Sequence, residues 1–258
     1  MFRYTTTSIL FFIILFAMII LEQRQAIPLW SLAIPVVLYL TKLVLGSTII
    51  GLNFYFFSYC KTKTNEKVIA LTFDDGPHPV ITPKLLDILE KHEAKATFFC
   101  LGKNIAANKS ITKKIDQNGH LIGNHSYTHH RWFDLFSAKK MAAEIKATNK
   151  EIEHTIGKKP TLFRPPYGVT NPSLKKALEK TNMFSVGWSL RSFDTIRDKQ
   201  KVLSKLKSKT KAGGVVLFHD TDEKIIPIVD EYLEWLKANQ FKIVSLEKLF
   251  NIDAYEAA

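Results

Sequence analysis

The first 60 residues and the remainder of the chain follow different rules of hydrophobic patterning. Residues 8–21 form an uncharged, almost wholly apolar run; Glu22-Gln23-Arg24-Gln25 interrupts it, and a second uncharged run extends over 26–41. Each falls a little short of the roughly 20 residues that cross a bilayer as a helix, and the flanking residues 4–7 and 43–45 supply the difference. Tyr4, Trp30 and Tyr39 suit the membrane interfaces, where aromatic side chains collect. No small-x-small cleavage site follows Leu21 and the second run begins at once. The pattern therefore favours a membrane anchor of one or two helices over residues 1–45, rather than a cleaved signal sequence. Residues 46–64 read as a linker with an entrance strand, because 49–57 is aromatic and rich in β-formers.

From Lys67 the period changes to short apolar runs alternating with amphipathic stretches. The run 68–73 reads as a strand. Thr82-Pro83 has the chemistry of an N-cap followed by a first-turn proline, and opens a helix through Leu85, Leu86, Ile88 and Leu89. Further strands are expected at 96–100, 119–123, 162–163, 184–190, 215–218 and 241–244. The helices between them carry Ile105, Ile111 and Ile115, then Met141, Ile145, Ile152 and Ile156 between a capping Ser137 and a terminating Gly157. Asn171-Pro172 opens another, 198–208 is lysine-rich, one runs through Ile228, Tyr232 and Trp235, and 246–250 is short. About seven strand–helix units in strict alternation require parallel strands, in an open doubly wound sheet or a closed barrel. No linker or internal repeat interrupts 65–250, which reads as one domain with 251–258 as its tail.

Charge changes this picture little. Thirty-six Lys and Arg against 24 Asp and Glu give a net +12, a balance that suits nucleic acid, acidic lipid or an anionic polymer. The lysines gather on the expected helices, at 139–150, 175–180 and 199–211, where they read as solvated faces without aromatic interleaving. No nucleic-acid partner is expected. Two cysteines, Cys60 and Cys100, exclude a disulfide mini-protein and a Cys-rich zinc module.

The informative residues sit at strand ends. The first strand runs into Asp74-Asp75-Gly76-Pro77, the third into Asn124-His125-Ser126-Tyr127-Thr128-His129-His130 and the fourth into Arg164-Pro165-Pro166-Tyr167-Gly168. The fifth runs into Arg191-Ser192-Phe193-Asp194 and the sixth into His219-Asp220. Parallel α/β folds build their sites from the carboxyl ends of strands, so these groups can meet on one face. Two adjacent carboxylates in a cleft need a cation or an arginine nearby, and can then serve different ends. His125 and His129 can reach a common point, and two His with one carboxylate is a familiar catalytic set for a divalent metal, zinc among the candidates. Taken singly each element has a bland reading: a capped turn for Asp74-Asp75-Gly76-Pro77, a buried imidazole for His219, core for Phe98, Phe99, Trp188 and Trp235. Their joint placement at strand ends is what a scaffold alone does not require.

In order and spacing, TFDDGP at 72–77, HSYTH at 125–129, RPPYG at 164–168 and FHD at 218–220 resemble the motifs of the NodB-type polysaccharide deacetylases, carbohydrate esterase family 4. The resemblance covers roughly 65–250. It implies a distorted (β/α) barrel and metal-dependent removal of acetyl groups from N-acetylglucosamine polymers. It further implies Asp75, His125 and His129 as ligands of a divalent metal, zinc first, with Asp74 as general base held by Arg164. The backbone N–H of Tyr167 would help to stabilise the oxyanion, and His219 would protonate the departing amine. Val215 and Leu217 match positions bordering the acetyl methyl pocket, and Trp188 is carried with them as a substrate contact. One motif departs: where the family often has Asp-x-x-Asp-Trp, this chain has Arg191 at the first Asp and Thr195 at the Trp. Asp194 remains, to orient either Arg164 or His219.

The leading expectation is thus a membrane-anchored deacetylase of peptidoglycan or chitin-like chains, its catalytic domain outside the membrane. An O-acetyl esterase of xylan-like chains would use the same site, and a glycan-binding pseudoenzyme would follow if Arg191 has cost activity. Two spans return the domain to the side of Arg3, and Lys42, Lys61, Lys63 and Lys67 favour the cytoplasm for it, so the outside rests on function alone.

Overall fold

The computed structural model describes residues 3–256. Two helices come first, α1 (Tyr4–Gln23) and α2 (Ala33–Thr48), joined through a 3-10 turn at Leu29–Leu32. They pack on each other through a stacked Phe11–Tyr39 pair 4.2 Å apart and a hydrogen bond between Ser8 Oγ and Tyr39 Oη at 2.9 Å. Their outer faces leave Phe12, Phe16, Val37 and Leu38 exposed. The segments Tyr4–Gln23 and Leu29–Thr48 are long and apolar enough to cross a membrane, by length and composition. The stretch 49–57 does not form the expected strand. Ile50–Leu52 is a 3-10 turn, Asn53 takes a left-handed φ of 53°, and only Ser58–Tyr59 pairs, as β1. Gly46 is required beneath this turn, since a Cβ there would lie 2.2 Å from the Phe54 ring.

The strand–helix units then follow in order: β2 (Val68–Asp74), α3 (Ile81–Lys91), β3 (Thr97–Cys100), α4 (Gly102–Ala107), α5 (Lys109–Gln117), β4 (Leu121–Asn124), α6 (Ala138–Ile156), β5 (Leu162–Phe163) and α7 (Pro172–Thr181). The series continues with β6 (Phe184–Val186), β7 (Leu190–Arg191), α8 (Lys199–Lys209), β8 (Gly214–His219), α9 (Ile225–Ala238), β9 (Lys242–Ile243) and α10 (Leu246–Phe250). Ser137 and Asn171 cap their helices as expected, and Gly157 ends α6 at a φ of 73°. Thr82 does not cap α3. The helix starts one residue earlier, and the Thr82 hydroxyl accepts the His78 N–H at 2.7 Å while donating to Asp220.

The strands form one curled parallel sheet in the order β1-β6-β5-β4-β3-β2-β8-β7, with β9 beside β2. This is the distorted barrel that the motif pattern implied. Strand alternation sets its two faces. Ile69, Leu71 and Phe73 of β2, with Val216 and Phe218 of β8, pack outward into the core beneath the helices. Ala70 and Val215 turn the other way, into an inner core with Phe99, Leu162 and Val186. The expected single strand at 184–190 is broken. Its first part, β6, pairs with β5 and β1, and its second part, β7, pairs with β8 at the far edge. The carbonyls freed at that break need donors, and Arg164 supplies them.

Candidate active site

The end of β2 delivers both carboxylates. Asp74 points inward, and Asp75 leaves the strand at a φ of 75°, a left-handed turn. Asn104 Nδ2 donates to the Asp75 carbonyl at 2.7 Å, and the Leu101 N–H donates to the Gly76 carbonyl at 2.9 Å, so the turn is held from α4. Asp74 is 3% exposed and its Oδ1 accepts from Arg164 Nη1 at 2.7 Å. The wholly buried guanidinium also donates to Thr72 Oγ1 at 2.8 Å, to the Val186 carbonyl at 3.2 Å and to the Gly187 carbonyl at 2.9 Å. The last two are the carbonyls left by the broken strand. Burial presses the Arg164 pKa down while Asp74 supports its charge, and the group lies against the Phe99 face, 4.2 Å from the ring centre. A buried charge of this kind is tolerable only when paired and hydrogen-bonded throughout, as here.

The loop after β4 carries the two imidazoles. Asn124 ties it to α6, donating to the Ile145 carbonyl at 2.8 Å and to Asn149 Oδ1 at 2.6 Å while accepting the Ser126 N–H at 2.8 Å. Glu144 Oε2 accepts the N–H groups of Tyr127 and Thr128 at 3.0 and 2.8 Å. His125 Nδ1 lies 2.8 Å from the Arg164 carbonyl. A carbonyl accepts only, so Nδ1 bears the proton and Nε2 of the neutral ring presents its lone pair. That Nε2 lies 3.6 Å from Asp75 Oδ1 and 3.8 Å from Asp74 Oδ2, while His129 Nε2 lies 3.5 Å from Asp75 Oδ1.

Asp75 Oδ1 is buried and has no hydrogen-bond partner. One oxygen and two ring nitrogens therefore converge within 4.8 Å of one another. Burial, then the neighbouring His125, pushes the His129 pKa down, favouring the neutral ring that coordinates metal. The donor set fits a divalent cation of the class that takes mixed nitrogen and oxygen ligands.

His219 stands across the cleft at the end of β8. Its Nδ1 is 3.1 Å from Asp194 Oδ1, and its backbone N–H donates to Asp194 Oδ2 at 2.9 Å. Ser192 Oγ bonds the same carboxylate. Burial alone would lower the His219 pKa; the Asp194 hydrogen bond and the charges of Asp194, Asp74 and Asp75 outweigh it and push the value up. For Asp194, burial works upward, and the bonds from His219 and Ser192 prevail, holding it below the usual carboxylate range. The choice left open by the sequence is thereby made: Asp194 orients His219, and Arg164 is held by other groups.

Asp74, Asp75, His125, His129, Tyr167 and His219 line one cavity of about 170 Å³, walled further by Trp188, Arg191, Thr195 and Leu217. Tyr167 sits at its mouth with a φ of 59°, half exposed, its ring edge-on to His129 at 4.6 Å. Gly168 follows at a φ of 70°, and a Cβ there would fall 2.3 Å from Trp188 Cη2, so the floor accepts only glycine. Val215, expected at the border of the acetyl pocket, is placed apart from the cavity lining. It faces inward with Leu217 and His219 but one layer deeper, wholly buried against Ala70 and Phe99, and it does not line the cavity.

Sequence reasoning left several supporting residues without a role. Thr72 holds Arg164, and Glu144 holds the histidine loop from a helix where nothing marked it out. Asp220 lies wholly buried against the Asp74-Asp75-Gly76 turn, where a Cβ on Gly76 would come within 2.2 Å of it. Burial pushes its pKa up to about 7 against the Thr82 hydrogen bond. Its place beside His219 in FHD was the available signal.

The model of the polysaccharide deacetylase family matches residues 61–186. The chain is 35% identical over 191 residues to the peptidoglycan-N-acetylglucosamine deacetylase PgdA of Listeria monocytogenes, covering 74% of this chain and 40% of that protein. It thus spans less than half the length of that relative. A peptidoglycan-N-acetylglucosamine deacetylase of Bacillus cereus is 33% identical over 193 residues, covering 72% of this chain and 89% of the relative. Among solved structures, the Bc1960 peptidoglycan N-acetylglucosamine deacetylase superposes with a TM-score of 0.72 at 31% identity, covering 76% of this chain and 94% of that one.

Proposed function

The chain belongs to the polysaccharide deacetylase family, and from that premise we propose that it is a membrane-anchored, zinc-dependent hydrolase that releases acetate from N-acetylglucosamine-containing polysaccharide, peptidoglycan before chitin-like oligomers. The observation that carries this reading is the buried, unpartnered Asp75 Oδ1 facing two imidazole nitrogens, with Asp74 fixed alongside by Arg164. A divalent cation held by Asp75, His125 and His129 supplies Lewis acidity when bound, polarising the acetyl carbonyl and making water acidic enough to attack near neutral pH. Zinc suits two imidazoles and one carboxylate.

The chain's own residues do the rest. Asp74 accepts the proton of the attacking water, and Arg164 keeps its carboxylate in place. The N–H of Tyr167 donates to the oxyanion that develops on the acetyl oxygen. As the carbon–nitrogen bond breaks, His219 gives its ring proton to the departing sugar amine, with Asp194 holding Nδ1. Leu217 and Trp188 wall the space for the acetyl methyl. The apolar helices α1 and α2 supply the anchor, and a wall polymer puts the domain on the outer side.

The test is acetate release by the full chain, zinc-loaded, on peptidoglycan, chitin oligomers and acetylated xylan. The proposal expects release from the amino-sugar polymers. Release from xylan alone would turn the reading to an O-acetyl esterase, and no release with metal demonstrably bound would turn it to a glycan-binding module.

A further inference from the structure

No flexible tether separates the helical pair from the catalytic cleft. Thr170, two residues beyond Gly168 on the cleft's own loop, donates its N–H to the Ser47 carbonyl at 2.9 Å and its hydroxyl to the Gly46 carbonyl at 3.0 Å. The start of α1 is held on the same side, with the Tyr4 N–H donating to the Phe54 carbonyl at 3.0 Å. Ile50 and Cys60 press on Gly187, where a Cβ would lie 2.6 Å from Cys60 Sγ. The end of α2 is therefore packed against the loops that build the cleft. A cleft so mounted stays at the bilayer surface when the helices span it.

A second cavity, of about 550 Å³, opens at this junction. Residues 48–51 form one side; Trp188, Arg191, Phe193 and Lys205 form the other. Trp188 and Arg191 also wall the catalytic cavity, so the two spaces adjoin. Three cations crowd the Phe193 ring: Lys205 Nζ at 3.6 Å, Arg197 Cζ at 4.8 Å and Arg191 Cζ at 5.2 Å from its centre.

Among the described residues, none of the three has a carboxylate within ion-pair distance. On the same α8, Lys199, Lys201 and Lys207 are paired, with Glu231, Asp198 and Glu231 respectively, while the terminal Lys209 has no ion pair among the described residues. Arg191 Nε is buried and without a hydrogen-bond partner. An aromatic face offsets only part of the repulsion among three like charges. Burial, then Arg197 and Arg191, depresses the Lys205 pKa accordingly. Of these cations Arg191 and Lys205 line the cavity, joined there by Lys61. A guanidinium fork with two ammonium groups is complementary to a multiply charged phosphate rather than to a lone carboxylate.

We propose that this pocket binds the phosphate or diphosphate of a lipid-linked amino sugar, the lipid lying along the end of α2 and the N-acetylated sugar passing Trp188 into the catalytic cleft. The inference rests on the proposed deacetylation and names the form of its substrate. Arg191, the departure from the family motif, then joins the catalytic cleft to the anion pocket.

The test uses the full zinc-loaded chain in lipid nanodiscs, with a binding arm and a turnover arm. In the binding arm an Asp74→Asn chain meets polyprenyl-diphosphate-linked N-acetylglucosamine, soluble N-acetylglucosamine 1-phosphate and a chitin tetramer. The lipid-linked sugar is expected to bind tightest. The double variant Lys61→Gln with Lys205→Gln, both lining the pocket, should cut its preference over the tetramer by about tenfold or more, the scale of hydrogen bonds to charged groups.

Equal binding of lipid-linked sugar and tetramer, or a preference unmoved in the double variant, overturns the proposal. Soluble sugar phosphate binding as tightly as the lipid form overturns its lipid part. Acetate release from the tetramer without binding of the lipid form would sink this inference alone. Failure to release acetate from either ligand would sink the deacetylase reading, with the binding arm still judging the pocket.

Discussion

The His219 imidazole must carry a proton to serve as an acid, and one neighbour largely decides whether it does. Asp194 takes its Nδ1 and backbone N–H together, and the His219 pKa rises while that of Asp194 falls. A raised histidine stabilises the fold below its unfolded pKa and loses that contribution as pH climbs through the folded value. A depressed carboxylate contributes above its unfolded pKa and loses that as pH falls through the folded value. The pair is thus worth most between the two values. Asp194→Asn should move the alkaline limb of the kcat profile downward, with a loss approaching the roughly 10²–10⁴-fold that a positioned general acid supplies. An alkaline limb unchanged in that variant would remove His219 from the role. At this scale the sequence was most legible where chemistry and strand ends coincide, at Asp74, Asp75, His125, His129, Arg164 and His219. Thr72 and Glu144 were not legible, because a hydroxyl on a strand and a glutamate on a lysine-rich helix look like any other. The depth of Val215 was not legible either, because alternation tells which face a residue takes, not how deep it lies.

Among the elements, the strand–helix alternation and most caps could be read directly, since period and cap chemistry are local. The broken strand at 184–191 could not. Its alternation of Phe184, Val186, Trp188 and Leu190 with small residues is unbroken, and only the curl of the sheet and the carbonyl bonds from Arg164 divide it into β6 and β7. Thr82 misled for a similar reason: the buried Asp220, 138 positions away, claims its hydroxyl. The helices α1 and α2 raise a question of side. Both domain-facing ends, near Tyr4 and Thr48, lie together, so two spans would put the N-terminus and the catalytic domain on one side. A reporter fused after Ala258 should read as external if the substrate is wall polymer; a cytoplasmic signal would exclude assembled peptidoglycan and leave lipid-linked sugars of the inner leaflet.

Over the whole molecule, a parallel barrel gathers residues from five strand ends into one cavity, and an apolar helix pair is packed onto the loops that surround it. The net charge of +12 reads as mostly solvated helix faces, with one cluster set apart by three cations that share the Phe193 ring. The central claim is that Asp75, His125 and His129 hold a catalytic divalent cation beside the base Asp74. It is tested most directly by measuring acetate release from a chitin oligomer by the wild-type chain and by Asp74→Asn, with zinc, after chelation and after zinc is restored, with bound metal measured in parallel. The account predicts that chelation abolishes release and zinc restores it, and that Asp74→Asn binds zinc as the wild type does yet turns over at least about 10²-fold more slowly, the lower end of what a general base contributes. Release that survives chelation, or a wild-type rate from Asp74→Asn, would contradict it.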